Sequence, residues 1–287
     1  MEIEVKGHSG CDIEVVNEND NLYVYKSSHD KKYLKRLVLQ AQKQIAAAIP
    51  EYQYVRVPKI LDIAQDDEKV ILKMEYVYSK NFVEYFEHAG FEQINYLVIA
   101  LIKFLEYEIA HSPIQAVDAT IVKDKFADVS AKTLSNAHLQ GDATVVELLD
   151  RSAKVFAGMH ELQIPVGLCH GDLTFSNILF NGNNYYLIDF LDSFIESPLL
   201  DIVKIRQDSA YLWSQLMYIH PCDTIRLNII CHKIDQEIDT YFSQYAWYNA
   251  YYMPLQLMNF LRVLQYAHEP KVIAYLKTVI DDLLKKF

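Results

Sequence analysis

Between Cys169 and Phe190 the chain reads C-H-G-D-L-T-F-S-N-I-L-F-N-G-N-N-Y-Y-L-I-D-F, and this stretch limits what the rest can be. Asp172 follows His170-Gly171, Asn177 comes five residues later, and Asp189 twelve after that. Hairpin chemistry lies between the last two. Ile178–Phe180 is apolar, Asn181-Gly182-Asn183-Asn184 is a turn, and Tyr185–Ile188 is apolar again. A hairpin returns its far end beside its near end. The spacing therefore predicts Asp189 close to Asn177, with Asp172 on the loop just before.

Two oxygen ligands of the kind Mg²⁺ prefers, a carboxylate and an amide carbonyl, then meet one further carboxylate that can accept a proton from an attacking hydroxyl. That set suits phosphoryl transfer. The alternative is a hairpin preceded by a polar loop, with Asp172 as a turn residue.

Protein kinases place a catalytic Asp, a downstream Asn and a metal-binding Asp after a short hairpin in this order. The His-Gly-Asp opening, in place of His-Arg-Asp, resembles the aminoglycoside phosphotransferase and choline kinase branch of the kinase-like fold. The resemblance implies Asp172 as catalytic base and Asn177 and Asp189 as Mg²⁺ ligands. It implies ATP as phosphoryl donor and a small-molecule hydroxyl (a sugar, amino sugar or amino alcohol) as acceptor. Its specific motifs are concentrated in residues 170–201.

The 287 residues suffice for a large core in one two-lobed unit or two small domains. Lys and Arg total 27 against 38 Asp and Glu, and the formal charge of −11 argues against a nucleic-acid surface. The four cysteines show no C-x-x-C and no zinc spacing, which suggests a reducing, cytoplasmic setting. No signal-like start is present, and the most apolar stretch, 96–105, is too short to span a bilayer, so no membrane partner is expected.

Residues 3–26 read as strands: Ile3-Glu4-Val5, then Asp12–Val16, then Leu22–Lys26, with Gly7-His8-Ser9-Gly10 breaking the first pattern. Gly7, Ser9 and Gly10 suit either a hairpin turn or a cradle whose backbone N–H groups approach phosphates. Lys26 ends an apolar strand. It is a solvated edge lysine or, by the resemblance, the lysine that grips the α- and β-phosphates.

Residues 30–48 predict a helix with a stripe of Leu34, Leu37, Val38, Ala41 and Ile45, capped by Ser28 or Asp30. Kinase-like proteins put a Glu on this helix to pair with the lysine. None lies between Lys26 and Pro50, and Gln42, read as facing inward, stands as the positional substitute. Residues 53–64 and 69–78 read as strands. The resemblance makes the second lead into the purine-binding hinge, with Met74 behind the base and Glu75 to Val77 along the hinge.

Asn81 caps a helix over 82–88, and 91–111 is a long apolar helix. Residues 112–139 look less regular, and 143–160 predicts an amphipathic helix leading to a strand at 166–169. Past Asp189, Asp192 and Glu196 serve either as acceptor-binding carboxylates or as turn and cap residues. Asp201 begins a helix and reads as scaffold, and His170 as a loop-ordering residue. Stripes at 224–241, 254–268 and 272–285 predict three helices. The aromatics Tyr245, Trp247, Tyr248, Tyr251 and Tyr252 are either core or a cation–π cage for a quaternary ammonium.

The expected architecture is a two-lobed α+β kinase-like fold. An N-terminal lobe over 1–78 would hold an antiparallel sheet with one helix, and a mainly helical C-terminal lobe over 79–287 would carry catalysis and the acceptor. The expected activity is transfer of the ATP γ-phosphate to a small hydroxylated metabolite. A nucleotide-binding regulator without catalysis is the alternative, favoured by Gln42 and the atypical glycine loop. A metal-dependent phosphoesterase would need more His and Asp ligands than the 170–189 stretch offers.

Overall fold

The computed structural model describes residues 11–287. Gly7, Ser9 and Gly10, and the strand expected at 3–5, lie outside the described residues.

The fold is the expected two-lobed α+β class, and its contacts group into two compact units. The first holds residues up to Tyr107 together with His170–Asp192. Its main sheet runs β1 (Asp12–Glu18), β2 (Asn21–Ser28), β5 (Val70–Glu75), β4 (Ile60–Gln65), all antiparallel. Helix α1 (Leu34–Ala47) packs on it through Leu37 and Ala41 against Val70 and Leu72. Each of these side chains is almost fully withdrawn from water, which is what fixes α1 to the sheet.

The expected 53–64 strand is two pieces. Before Pro58, β3 (Val55–Arg56) runs parallel to β9 (Asn184–Leu187), while β4 returns to the main sheet. Pro58 separates the two because it has no N–H to offer a ladder. The hairpin after Asn177 is the one predicted: β8 (Ile178–Asn181) pairs with β9, and Gly182 turns it at φ +59°. Helix α2 (Phe82–His88) opens with a reciprocal capping box between Asn81 and Glu84 and packs Tyr85 and Phe86 on Phe180. Helix α3 (Phe91–Ala110) follows.

The second unit holds Glu108–Cys169 and residues from Ser193 onward. Here β6 (Ile114–Val117) pairs with β7 (Leu162–Pro165). The region read as irregular contains helix α4 (Ala119–Ser135), started by Asp118 accepting the Thr120 N–H. Its apolar residues are spread round the helix, with Ile121 and Leu134 exposed, so periodicity hid it, while the Asp118 cap marks it. The strand expected at 166–169 is instead β7, a few residues earlier.

Helices α5 (Ala143–Ala157), α6 (Pro198–Ser209), α7 (Trp213–Met217), α8 (Thr224–Phe242), α9 (Ala246–Leu264) and α10 (Pro270–Leu284) complete the unit. Helix α9 starts well before Pro254, which it carries internally, so Trp247, Tyr248, Tyr251 and Tyr252 are helical, with Tyr245 just ahead of the helix. Trp247, Tyr248 and Tyr252 are buried core, and Tyr252 stacks on the guanidinium of Arg206 at 4.4 Å. Among the described residues no helix is long and apolar enough to cross a membrane.

Candidate active site

The hairpin does what its sequence requires. The Ile188 N–H donates to the Asn177 carbonyl at 3.1 Å, which brings the residue before Asp189 back to Asn177. Asn177 in turn reaches Asp172: its Nδ2 donates to the Asp172 carbonyl at 2.8 Å and to Asp172 Oδ2 at 3.0 Å. A carboxylate oxygen accepts only from the amide nitrogen, so the amide Oδ1 of Asn177 is left as the open oxygen. The Thr174 N–H also donates to the Asp172 carbonyl, at 2.8 Å, closing the loop on itself.

Asp189 adopts φ +60°, a left-handed backbone that a residue with a side chain seldom takes. Its Oδ1 accepts from Lys26 Nζ at 2.7 Å. Lys26 is buried on β2, whereas the Asp189 side chain is 38% exposed. Burial alone would lower the Lys26 pKa, but the Asp189 charge and hydrogen bond outweigh it and the net shift is upward.

His170 is fully buried, with its ring 4.2 Å from that of Phe190. Its Nδ1 accepts the Asp172 N–H at 3.2 Å. Burial, with a smaller push from the Lys43 charge, lowers its pKa to about 4 against the pull of Asp172. A neutral ring that accepts at Nδ1 from the next turn keeps its one proton on Nε2, orders the loop and carries no charge at neutral pH.

Gln42 is a correction: it is exposed and does not face inward. The buried face of α1 is Leu34, Leu37, Gln40, Ala41, Gln44 and Ala47, with Val38 packed partly buried against the same core, so the stripe read from the sequence holds except at Ile45, which is exposed. Two glutamines fit there because each finds a partner. The Tyr33 hydroxyl donates to Gln40 Oε1 at 3.1 Å, and Gln44 Nε2 donates to the Pro58 carbonyl at 2.9 Å. Neither Ser28 nor Asp30 caps α1; Asp30 instead accepts the Lys32 N–H in the turn before it.

Met74 pairs across the sheet with Val24 and packs on the core beneath α1. The Glu75 N–H is taken by the Lys59 carbonyl at 2.9 Å, and its carboxylate accepts the Lys59 N–H at 3.3 Å. Val77 lies beyond the end of β5, half-buried in non-strand backbone.

Asp192 pairs with Arg36 of α1 at 2.9 Å, both ends exposed. Glu196 accepts the Ser193 N–H at 2.7 Å and the Cys169 thiol at 3.0 Å, so it acts as a turn and cap residue. Asp201 is buried in the first turn of α6. Sequence reading missed Lys43 altogether: its Nζ donates to the Leu191 carbonyl at 2.6 Å. Arg36 and Lys43, seven residues apart, share one helix face, but that spacing does not name a backbone carbonyl as the partner of Lys43.

The sequence profile of the APH phosphotransferase enzyme family matches residues 16–218, well over half the chain. The chain belongs to this phosphotransferase family. Solved structures with the same fold include the amicoumacin kinase hAmiN in complex with AMP-PNP, Ca2+ and Ami, at TM-score 0.63 and 11% identity, covering 98% of this chain and 87% of that one. APH(2")-IIia in its GDP and kanamycin complex is similar at TM-score 0.57 and 14% identity over 99% of this chain and 95% of that one. The spectinomycin phosphotransferase APH(9)-Ia, with ADP and spectinomycin, reaches TM-score 0.53 at 14% identity, over 99% and 92%. At these identities the likeness is one of fold. No curated protein matches the sequence.

In this phosphotransferase the oxygen donors fit a magnesium ion carried on phosphate. Asp189 has one oxygen on Lys26 and Asn177 presents its Oδ1. Among the described residues no group of three or more His, Cys, Asp or Glu is arranged to hold a metal by itself. Mg²⁺ on a nucleotide needs few protein ligands, because phosphates and water fill the rest of its octahedron.

Proposed function

We propose that the protein transfers the γ-phosphoryl group of ATP to a hydroxyl of a small-molecule acceptor. The observation that carries this is the hydrogen-bonded run Asp172–Asn177–Ile188, which sets a carboxylate, an amide oxygen and the Asp189 carboxylate along one folded ribbon.

Asp189 and Asn177 would hold Mg²⁺, which when bound neutralises charge on the β- and γ-phosphates. Asp172 accepts the proton of the attacking hydroxyl. The acceptor oxygen forms the new bond to the γ-phosphorus, the bond from that phosphorus to the β–γ bridging oxygen breaks, and ADP leaves. Asn177 holds the Asp172 carboxylate in place, and the neutral His170 fixes the Asp172 backbone. Lys26, now paired with Asp189, turns to the phosphates when nucleotide enters. The backbone around Val77, outside any strand, is free to meet the purine edge, with Met74 behind it, and Gly7, Ser9 and Gly10 remain the proposed phosphate cover. Catalysis is then mostly positioning and electrostatics.

A regulatory, non-catalytic nucleotide binder is the second reading, favoured by the lack of an acidic residue on α1. ADP release over a panel of amino sugars, sugars and amino alcohols, with wild type and Asp172→Asn compared, separates the two. Phosphotransfer requires turnover with at least one acceptor and a loss of roughly 10²–10⁴-fold in the variant with nucleotide binding retained. Tight nucleotide binding with equal, negligible turnover in both proteins supports the regulator.

A further inference from the structure

The left-handed backbone of Asp189 persists only if its neighbours over-determine it. On its N-terminal side the Ile188 N–H is held by Asn177. On its C-terminal side Leu191 is held through both backbone polar groups. Its N–H donates to the His170 carbonyl at 2.9 Å, and its carbonyl accepts from Lys43 Nζ at 2.6 Å. Gly171 makes room for this. A β-carbon there would stand 1.9 Å from the Leu191 oxygen and 3.3 Å from Lys43 Nζ. The Lys43 bond is charge-assisted, hence about twice as strong as its neutral neighbours. It also comes from a different element, α1.

We propose that Lys43 is a positioning residue of the phosphotransfer site: its ammonium pins the Leu191 carbonyl above Gly171, so that Asp189 keeps the backbone in which it takes the metal. The inference rests on the assignment of Asp189 as a metal ligand. It gives α1 a role that its missing acidic residue had left open. Instead of offering Lys26 an anion, α1 offers the Asp189 segment a cation. Arg36, on the same face, reaches Asp192 further along, but that pair is exposed at both ends and contributes little. Metal affinity is thereby coupled to the seating of α1.

Two measurements on the full chain test this. In the first, Mg²⁺ is titrated into protein saturated with a fluorescent ATP analogue. Lys43→Met should raise the Mg²⁺ midpoint about tenfold, within the usual range of coupling between sites. Lys43→Arg should stay within about threefold, because the donor and its charge are kept. Arg36→Met should match wild type, and nucleotide binding in EDTA should be the same in all four proteins. In the second, hydrogen exchange of the ligand-free protein should show a faster Leu191 amide in Lys43→Met, with the Leu72 amide of β5 unchanged.

An unchanged Mg²⁺ midpoint or an unchanged Leu191 amide in Lys43→Met overturns the proposal. Should that variant not fold, Lys43→Gln, which keeps a neutral donor, must show a smaller shift in the same direction; a wild-type midpoint there also overturns it. A wild type that binds no nucleotide with or without Mg²⁺ instead removes the functional reading, while the exchange comparison still decides whether Lys43 holds Leu191.

Discussion

The ammonium of Lys26 and Oδ1 of Asp189 stand 2.7 Å apart although 163 residues separate them in the chain. The pair is lopsided: the lysine is buried and the aspartate partly open to water. Removing the aspartate strands a buried charge, whereas removing the lysine leaves a carboxylate that water can still reach. Asp189→Asn should therefore destabilise the ligand-free protein by about 2 kcal/mol, and Lys26→Met by about half as much. Urea unfolding checks the order; equal losses, or the reverse order, would show that the pair is not what places either side chain.

Both Gly171 and Gly141 have positive φ, +89° and +77°, but only the first is crowded. Gly141→Ala meets nothing within 4 Å, so it should cost only backbone strain, about 1 kcal/mol. Gly171→Ala drives a β-carbon into the Leu191 carbonyl, and the 189–191 segment must move. Its stability loss should be at least twice that of Gly141→Ala, and Mg²⁺-dependent nucleotide binding should weaken with it. Thermal unfolding of the two variants side by side, followed by a Mg²⁺ titration, provides the check. Comparable behaviour would mean that Leu191 yields without disturbing Asp189.

His170 predicts an acid limb in the stability curve. Its pKa falls from the ordinary 6.5 to about 4 in the folded protein, chiefly through burial. The unfolded chain therefore binds a proton in the window between those values while the folded chain does not. Stability from this group is complete above about pH 6.5 and is lost as pH falls toward 4, by up to about 3 kcal/mol. His170→Asn, which keeps an acceptor for the Asp172 N–H, should flatten that part of the curve. A slope between pH 6.5 and 4 identical to wild type in the variant would place the acid sensitivity elsewhere.

The hairpin and its three polar residues were legible because their geometry is local. Turn chemistry, alternation and a fixed spacing are all contained in 21 consecutive residues, Cys169 to Asp189. Helix α2 was legible for the same reason, since Asn81 and Glu84 write a cap in four letters. What failed was the polar part of the inward face of α1. Helix α1 buries Gln40 and Gln44 because Tyr33 and the Pro58 carbonyl meet them, and neither partner is visible from helix periodicity. Gln42, two residues from each of those glutamines, faces solvent instead. Helix α4 was hidden by apolar residues spread round it, and α9 by Pro254, which a packed helix tolerates. Lys43 went unread because its partner is a backbone carbonyl 148 residues away, and a carbonyl leaves no mark in a sequence.

The second unit holds a polar network that the aromatic cluster only hinted at. Arg206 of α6 forks onto Asp235 of α8, with Nε at 2.8 Å and Nη2 at 3.0 Å from its two oxygens. Nη1 reaches Asp239 and the Tyr248 hydroxyl, and the Tyr252 ring covers the guanidinium face. The planar fork and the stacked ring both demand arginine, so lysine is no substitute. Arg206→Lys should cost about 2 kcal/mol and Arg206→Met about 3–5 kcal/mol, the latter because the Asp235 side chain, only 16% exposed, is left without its cation. Pairing Arg206→Met with Asp235→Leu should recover much of the loss, since two apolar side chains can fill the space that the ion pair held. A double-mutant cycle by thermal unfolding measures this. If the double variant is as unstable as the sum of the singles, the network acts through shape and packing, and the charge pairing between α6 and α8 is incidental.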